Sequence, residues 1–158
     1  MTQYDIEKVL NLMTFIDMPS PHSGETILSH GLHSSKLVPI RLKRAALYHD
    51  VGRIQSGNDH PELGAQIAER LGFEQWEVDL IRYHHSLYNL VNLPSQNIRA
   101  IKRFLRNHRS RLEDLVYLAH ADIFAEITSK TELEWNKIEL LLEKMQEIEK
   151  QNESEKNE

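Results

Sequence analysis

Apolar residues return every three or four positions along nearly the whole of this chain, and in no segment do they alternate. That period fits one face of a helix and not one face of a strand. A first helix is predicted over Tyr4, Ile6, Val9, Leu10, Leu12, Met13 and Ile16, interrupted by Pro19 and Pro21. Ile27–Leu37 and Ile40–Tyr48 follow, separated by Pro39. Pro61 opens a helix that Gly72 ends, and another is predicted from Glu74 to about Tyr88. Further helices are predicted over Ile98–Arg106, Leu112–Ile127 and Glu132–Glu149, while the closing QNESEKNE has nothing to bury and is expected to be disordered. The reading is an all-α, single-domain helical bundle. Residues 1–26 are expected to pack on the domain as a helix and Pro-containing connection, residues 27–127 to form the core, residues 128–150 the last helix and 151–158 the tail.

Composition removes several classes of function. With 158 residues there is room for a substantial core, and with no cysteine there are no disulfides and no thiolate metal sites. No apolar run approaches the length of a membrane span, and MTQYDIEKVL lacks a basic start and an apolar signal core, so the expected place is the cytoplasm. A formal net charge of −5 gives no global attraction to nucleic acid. Nine histidines, however, is a large number for a domain of this size.

Their positions matter more than their number. In AALYHDVGR (45–53) an apolar helical run stops on His49 and Asp50, an ionisable pair whose burial is costly unless compensated. His30 interrupts the apolar face of the second helix, His60 precedes Pro61, His84 and His85 come late in the fifth helix, and Asp122 lies within LVYLAHADIFAEI. Each sits on or at the end of a segment that turns an apolar side inward, so a shared core would bring them together. Taken one at a time, such residues are more often hydrogen-bonded core histidines or capping aspartates than ligands. As a set, neutral imidazoles and carboxylates suit zinc, iron, manganese, nickel or cobalt, and a bound cation would compensate Asp50.

In this order the residues resemble the HD superfamily of metal-dependent phosphohydrolases: a helical His, a His-Asp pair, then a distant Asp. His30 in ILSHGLHSSKLV, His49 and Asp50 in AALYHDVGR and Asp122 in LAHADIFAEI carry the pattern, with His33 the rival first ligand. DHPELGAQIAERLG and IRYHH are similar to the segments that supply further histidines in two-metal members, which points to His60, His84 and His85. The resemblance runs from about Ile27 to Glu126, and implies the helical bundle of the HD-domain type. It also implies one or two divalent transition-metal ions: His30, His49 and Asp122 on one, His60, His84 and His85 on the other, with Asp50 bridging. Adjacent residues on a regular helix diverge by about 100°, so His84 and His85 require a local distortion to share an ion.

Narrower features, HPELGA, RYHH and the Arg-rich run leading to Asp122, look like the HD domain attached to some bacterial tRNA nucleotidyltransferases. Nucleotide transfer itself is not expected, because about 26 residues before the match leave no room for its catalytic head. HHSLYNL lacks the GYP extension of the cyclic-di-GMP branch, and Thr26 stands one turn before His30 where a third metal would need an acid. Arg53 occupies the place where relatives often carry lysine, and is expected to act with Asp50 in catalysis by clamping a phosphate oxygen. The resemblance thus implies a phosphomonoesterase or phosphodiesterase acting on a nucleotide, a 2′,3′-cyclic phosphate or an RNA end through a metal-activated hydroxide. The alternatives are a catalytically silent nucleotide- or RNA-binding module and a dinucleoside polyphosphate hydrolase. Arg99, Lys102, Arg103 and Arg106 recur at helical spacing, a solvated face or an RNA-docking strip.

Overall fold

A computed structural model describes residues 5–19, 22, 24–93 and 97–156. Tyr4, Pro21 and the last two residues of the expected tail lie outside them. Nine α-helices are formed among the described residues: α1 Ile6–Phe15, α2 Ile27–Lys36, α3 Lys43–Tyr48, α4 His60–Arg70, α5 Gln75–Tyr83, α6 Ser86–Val91, α7 Ile98–His108, α8 Leu112–Phe124 and α9 Thr131–Lys156. The fold is all-α, as the periodicity predicts; an isolated bridge between Asp17 and Thr26 is the one β-type pairing among the described residues.

Two apolar clusters hold the bundle. Val9 and Met13 of α1 pack with Ile27, Val51, Ile67, Val78 and Ile81, all nearly solvent-free. Leu42, Leu80, Leu87, Leu115, Leu118, Ile138 and Met145 build the other, and the apolar stripe of α9 is spent there. Removing this much apolar surface from water is the main force holding the helices in register.

Several boundaries differ from the sequence reading, each for a local reason. The predicted helix from Glu74 to Tyr88 breaks at His84–His85 into α5 and α6. There Nδ1 of His84 donates to the Ile81 carbonyl (2.6 Å) and the Ser86 hydroxyl to the Tyr83 carbonyl, satisfying groups that a helix end leaves open. The third predicted helix begins as a 3-10 turn, Ile40–Leu42, after Pro39, and a second 3-10 turn, Val51–Ile54, follows the His-Asp pair. α4 ends as expected at Gly72, whose φ of +79° suits a residue without a side chain. α9 runs on past Glu149 to Lys156, so the segment expected to be disordered from 151 is helical over most of its length.

Candidate metal centre

The ends of helices supply the site. His49 closes α3, Asp50 follows it, His60 opens α4, His84 and His85 form the break after α5, and His30 and Asp122 project from within α2 and α8. Two glycines permit the approach. A Cβ on Gly31 would lie 2.2 Å from the Leu47 carbonyl oxygen, and one on Gly52 would lie 2.0 Å from that of His60. α2 therefore lies directly on the backbone of α3, and the turn after Asp50 directly on the start of α4. These contacts bring His30 to His49 and Asp50 to His60.

Three of the rings are oriented in the same way. Nδ1 of His49, His60 and His84 donates to the carbonyls of Ala46, Gly57 and Ile81, at 2.7, 2.9 and 2.6 Å. Each ring's Nδ1–H is thus committed to the backbone, and Nε2 is the atom turned to the centre. Asp50 stands between the groups so that each oxygen serves one side. Its Oδ1 lies 3.0 Å from His60 Nε2 and 3.7 Å from His84 Nε2; its Oδ2 lies 3.4 Å from His49 Nε2 and 3.8 Å from His30 Nε2. Asp122 Oδ1 is 2.8 Å from His30 Nε2 and 3.4 Å from His49 Nε2.

All seven residues expected as ligands are brought together, in two sets whose ligand atoms lie within 4.8 Å of one another: Asp50, His60, His84 and His85, and His30, His49, Asp50 and Asp122. The break between α5 and α6 lets the adjacent His84 and His85 join one set. Three observations test the fit to a divalent cation, and all favour it. The donors are nitrogen and oxygen only. His49 Nε2 and Asp50 Oδ1 are buried without a hydrogen-bond partner among the described residues. His60 Nε2 and His84 Nε2 face each other at 3.3 Å although each ring already donates through Nδ1. A cation is what such a convergence of lone pairs accommodates.

Protonation follows the same fields. Burial alone would raise Asp50, but His49, with the Nε2 atoms of His60 and His84 close by, holds it well below the usual carboxylate range. Asp122 is likewise held well below by His30 and His49 against its burial. For His49, burial is outweighed by the Asp50 carboxylate and, after it, the Asp122 carboxylate, each 3.4 Å from Nε2, which hold the ring well above its ordinary value. Burial, then His84 and His60, push His85 down to about 3, so its ring stays neutral around pH 7.

Around the centre opens a cleft of about 440 Å³, lined by Asp50, Arg53, His85, Tyr88 and Asp122 and also by Glu126, Glu134 and Lys137. Arg53 Nε lies 2.9 Å from Asp50 Oδ1. Glu62, in the first turn of α4, pairs with Arg82 at the surface. His33 is half-exposed and bonds Glu25 through Nδ1 at 2.7 Å, leaving His30 at the centre. Arg99, Lys102, Arg103 and Arg106 are exposed on α7, pair with no carboxylate of the described residues, and do not line the cleft.

Three residues at the site escaped the sequence reading. The Tyr88 hydroxyl donates towards Asp122 Oδ2 at 3.1 Å and the Ala119 carbonyl at 3.2 Å; its spacing from His84, one turn on, was the available signal. Glu25 approaches His30 from the loop before α2. Thr26, where the helical register would place an acid, is the N-cap in extended backbone, so that register does not extend to Glu25 just upstream of it. His22 lines the cleft, bonds Glu126 at 2.9 Å, and forms with Glu25 and His30 a third group of metal-ligating residue types.

An all-α bundle that gathers histidines and aspartates from five segments is the architecture of one class of protein. The HD-domain family matches residues 22–125, and the chain belongs to that family, which comprises metal-dependent phosphohydrolases. The chain is also similar to ribonuclease Y of Malacoplasma penetrans, 35% identical over 51 residues, covering 30% of this chain and 11% of the relative. Ribonuclease Y of Ureaplasma parvum serovar 3 is 34% identical over 76 residues, covering 40% of this chain and 16% of the relative. The chain thus spans a small part of the curated relatives it matches. These matches bear on the family and not on the narrower resemblance to tRNA nucleotidyltransferase domains.

Proposed function

We propose that this protein is a divalent-metal phosphohydrolase acting on a nucleotide, a 2′,3′-cyclic phosphate or an RNA terminus. The observation that carries the reading is the position of Asp50, one oxygen towards each histidine group, within rings whose Nδ1–H is already spent. His30, His49 and Asp122 would hold one ion and His60, His84 and His85 a second, with Asp50 shared. A cation so held supplies Lewis acidity towards a phosphoryl oxygen and lowers the pKa of water bound to it.

The rest is done by the chain. Arg53, at the cleft wall beside Asp50, offers its guanidinium N–H groups to a phosphate oxygen. Tyr88 steadies Asp122 from behind, so that Oδ1 faces the histidines. His85 keeps a neutral ring without losing a proton. A cleft of about 440 Å³ lies within the roughly 300–1,000 Å³ range of small-ligand sites, which suits a nucleotide or the end of a strand.

His49→Ala and Asp50→Ala are expected to abolish both metal uptake, read by elemental analysis, and turnover of a phosphoester panel with added Mn²⁺, Ni²⁺ or Co²⁺. Undiminished hydrolysis in either variant overturns the assignment. A second reading, a non-catalytic RNA-binding module, is favoured by the exposed cations of α7, which pair with no carboxylate of the described residues; the similarity to ribonucleases Y points to RNA under either reading. Binding of RNA without turnover under any of these metals, weakened by Arg103→Glu, would select it.

A further inference from the structure

His30 differs from the other ligating histidines. His49, His60 and His84 donate Nδ1–H to carbonyls of their own helix end or loop, so their protons are already where ligation through Nε2 needs them. His30 Nε2 instead sits 2.8 Å from Asp122 Oδ1, and because an ionised carboxylate oxygen only accepts, this contact assigns the hydrogen to Nε2. Its Nδ1 is buried, has no hydrogen-bond partner among the described residues, and lies 3.6 Å from Glu25 Oε2, an atom likewise buried and without a hydrogen bond among them, with His22 Nδ1 3.9 Å from that same oxygen. The other Glu25 oxygen is fixed by Nδ1 of His33 at 2.7 Å.

We propose that Glu25 is a positioning residue for the first metal, receiving Nδ1–H of His30 when Nε2 becomes a ligand. This rests on the reading of His30 as a ligand. Ligation through Nε2 requires that atom to give up its hydrogen. A neutral ring then carries its one hydrogen on Nδ1, where Glu25 Oε2 waits slightly beyond hydrogen-bond length. Nε2 loses a proton and Nδ1 gains one, so ring and carboxylate keep their charges. His33, the sequence's rival ligand, anchors this carboxylate from the surface. The same contact argues against a separate cation among His22, Glu25 and His30, because a ring ligating through Nε2 with its proton on Nδ1 has no second lone pair to give.

The test is Zn²⁺ titration of the full, metal-stripped chain by calorimetry, with the ring nitrogens of His30 followed by NMR. In the wild type, Zn²⁺ is expected to move the hydrogen from Nε2 to Nδ1 and produce a slowly exchanging Nδ1 proton. Glu25→Gln is expected to weaken the first Zn²⁺ by about 10–100-fold, the range for such supporting partners. The number of ions bound should not change, and the Nδ1 proton signal should be lost. Unchanged affinity with an unchanged signal overturns the proposal. So does the loss of one whole ion with the others bound as before, which would make Glu25 a direct ligand. Should Glu25→Gln not fold, the half-exposed His33→Ala carries the test: a smaller loss in the same direction supports the proposal, and unaltered affinity overturns it. His30→Ala separates the two levels. If it binds Zn²⁺ normally, the metal-centre reading fails; if it does not while Glu25→Gln does, Glu25 alone fails.

Discussion

At the scale of the residue, the site depends as much on what is missing as on what is present. Gly52 has no side chain because a Cβ would overlap the His60 carbonyl oxygen at 2.0 Å and the Gly64 nitrogen at 2.5 Å, both backbone atoms that cannot rotate aside. Gly52→Ala is therefore expected to cost about 3 kcal/mol or more, at the upper end of overpacking, and to separate Asp50 from His60. Thermal unfolding measures the first effect and loss of metal uptake the second. Tyr88→Phe keeps the ring and removes the hydroxyl that donates to Asp122. It is expected to leave stability nearly unchanged and to lower metal affinity about tenfold, as loss of a supporting partner does; equal affinity by calorimetry would remove Tyr88 from the site.

The helices contribute their ends. His49 and His84 each follow the last residue of a helix and take a carbonyl of its final turn, so one hydrogen bond both terminates the helix and orients the ligand. α3 and α5 are clamped by a separate polar contact, in which Arg44 donates to the buried carboxylate of Glu77 and lies over the Phe73 ring at 4.4 Å. Arg44→Ala leaves Glu77 with the backbone N–H of Glu74 and is expected to cost about 1–3 kcal/mol, the penalty of a buried acceptor losing its partner. The pH dependence follows. Burial raises Glu77, but Arg44 and the Glu74 N–H overcome it and hold the carboxyl below its ordinary 4.5. The unfolded chain thus takes up this proton first, so the contribution is complete above 4.5 and is lost as pH falls through the lower folded value. Denaturant melts between pH 3 and 6 are expected to show a shallower acid loss in Arg44→Ala than in the wild type.

For the molecule as a whole, the ligands come from elements spread between α2 and α8, so a bound ion ties most of the chain together. Free metal at about 100 times its Kd is expected to stabilise the fold by about 2.7 kcal/mol. At this chain length that corresponds to roughly 5–11 °C in Tm. Chelation should reverse the shift, and Asp50→Ala should not show it. Arg99, Lys102, Arg103 and Arg106 belong to this scale too, since a basic face on a protein of net charge −5 acts through its local field. If that face carries RNA, affinity is expected to fall steeply with salt, whereas turnover of a mononucleotide in the cleft should not.

The sequence by itself determined the all-α fold, because a period of three to four residues allows little else, and the ordered His and Asp set, because its order and spacing are local text. It also showed that His84 and His85 needed a distortion, which the break between α5 and α6 supplies. Only the tertiary structure decided how the rings face. Each tautomer depends on which carbonyl or carboxylate lies at the far nitrogen, and for His30 that neighbour comes from a loop outside the helical register. Tyr88, Glu25 and His22 were hidden for the same reason: their importance lies in what packing places beside them, not in their position along the chain.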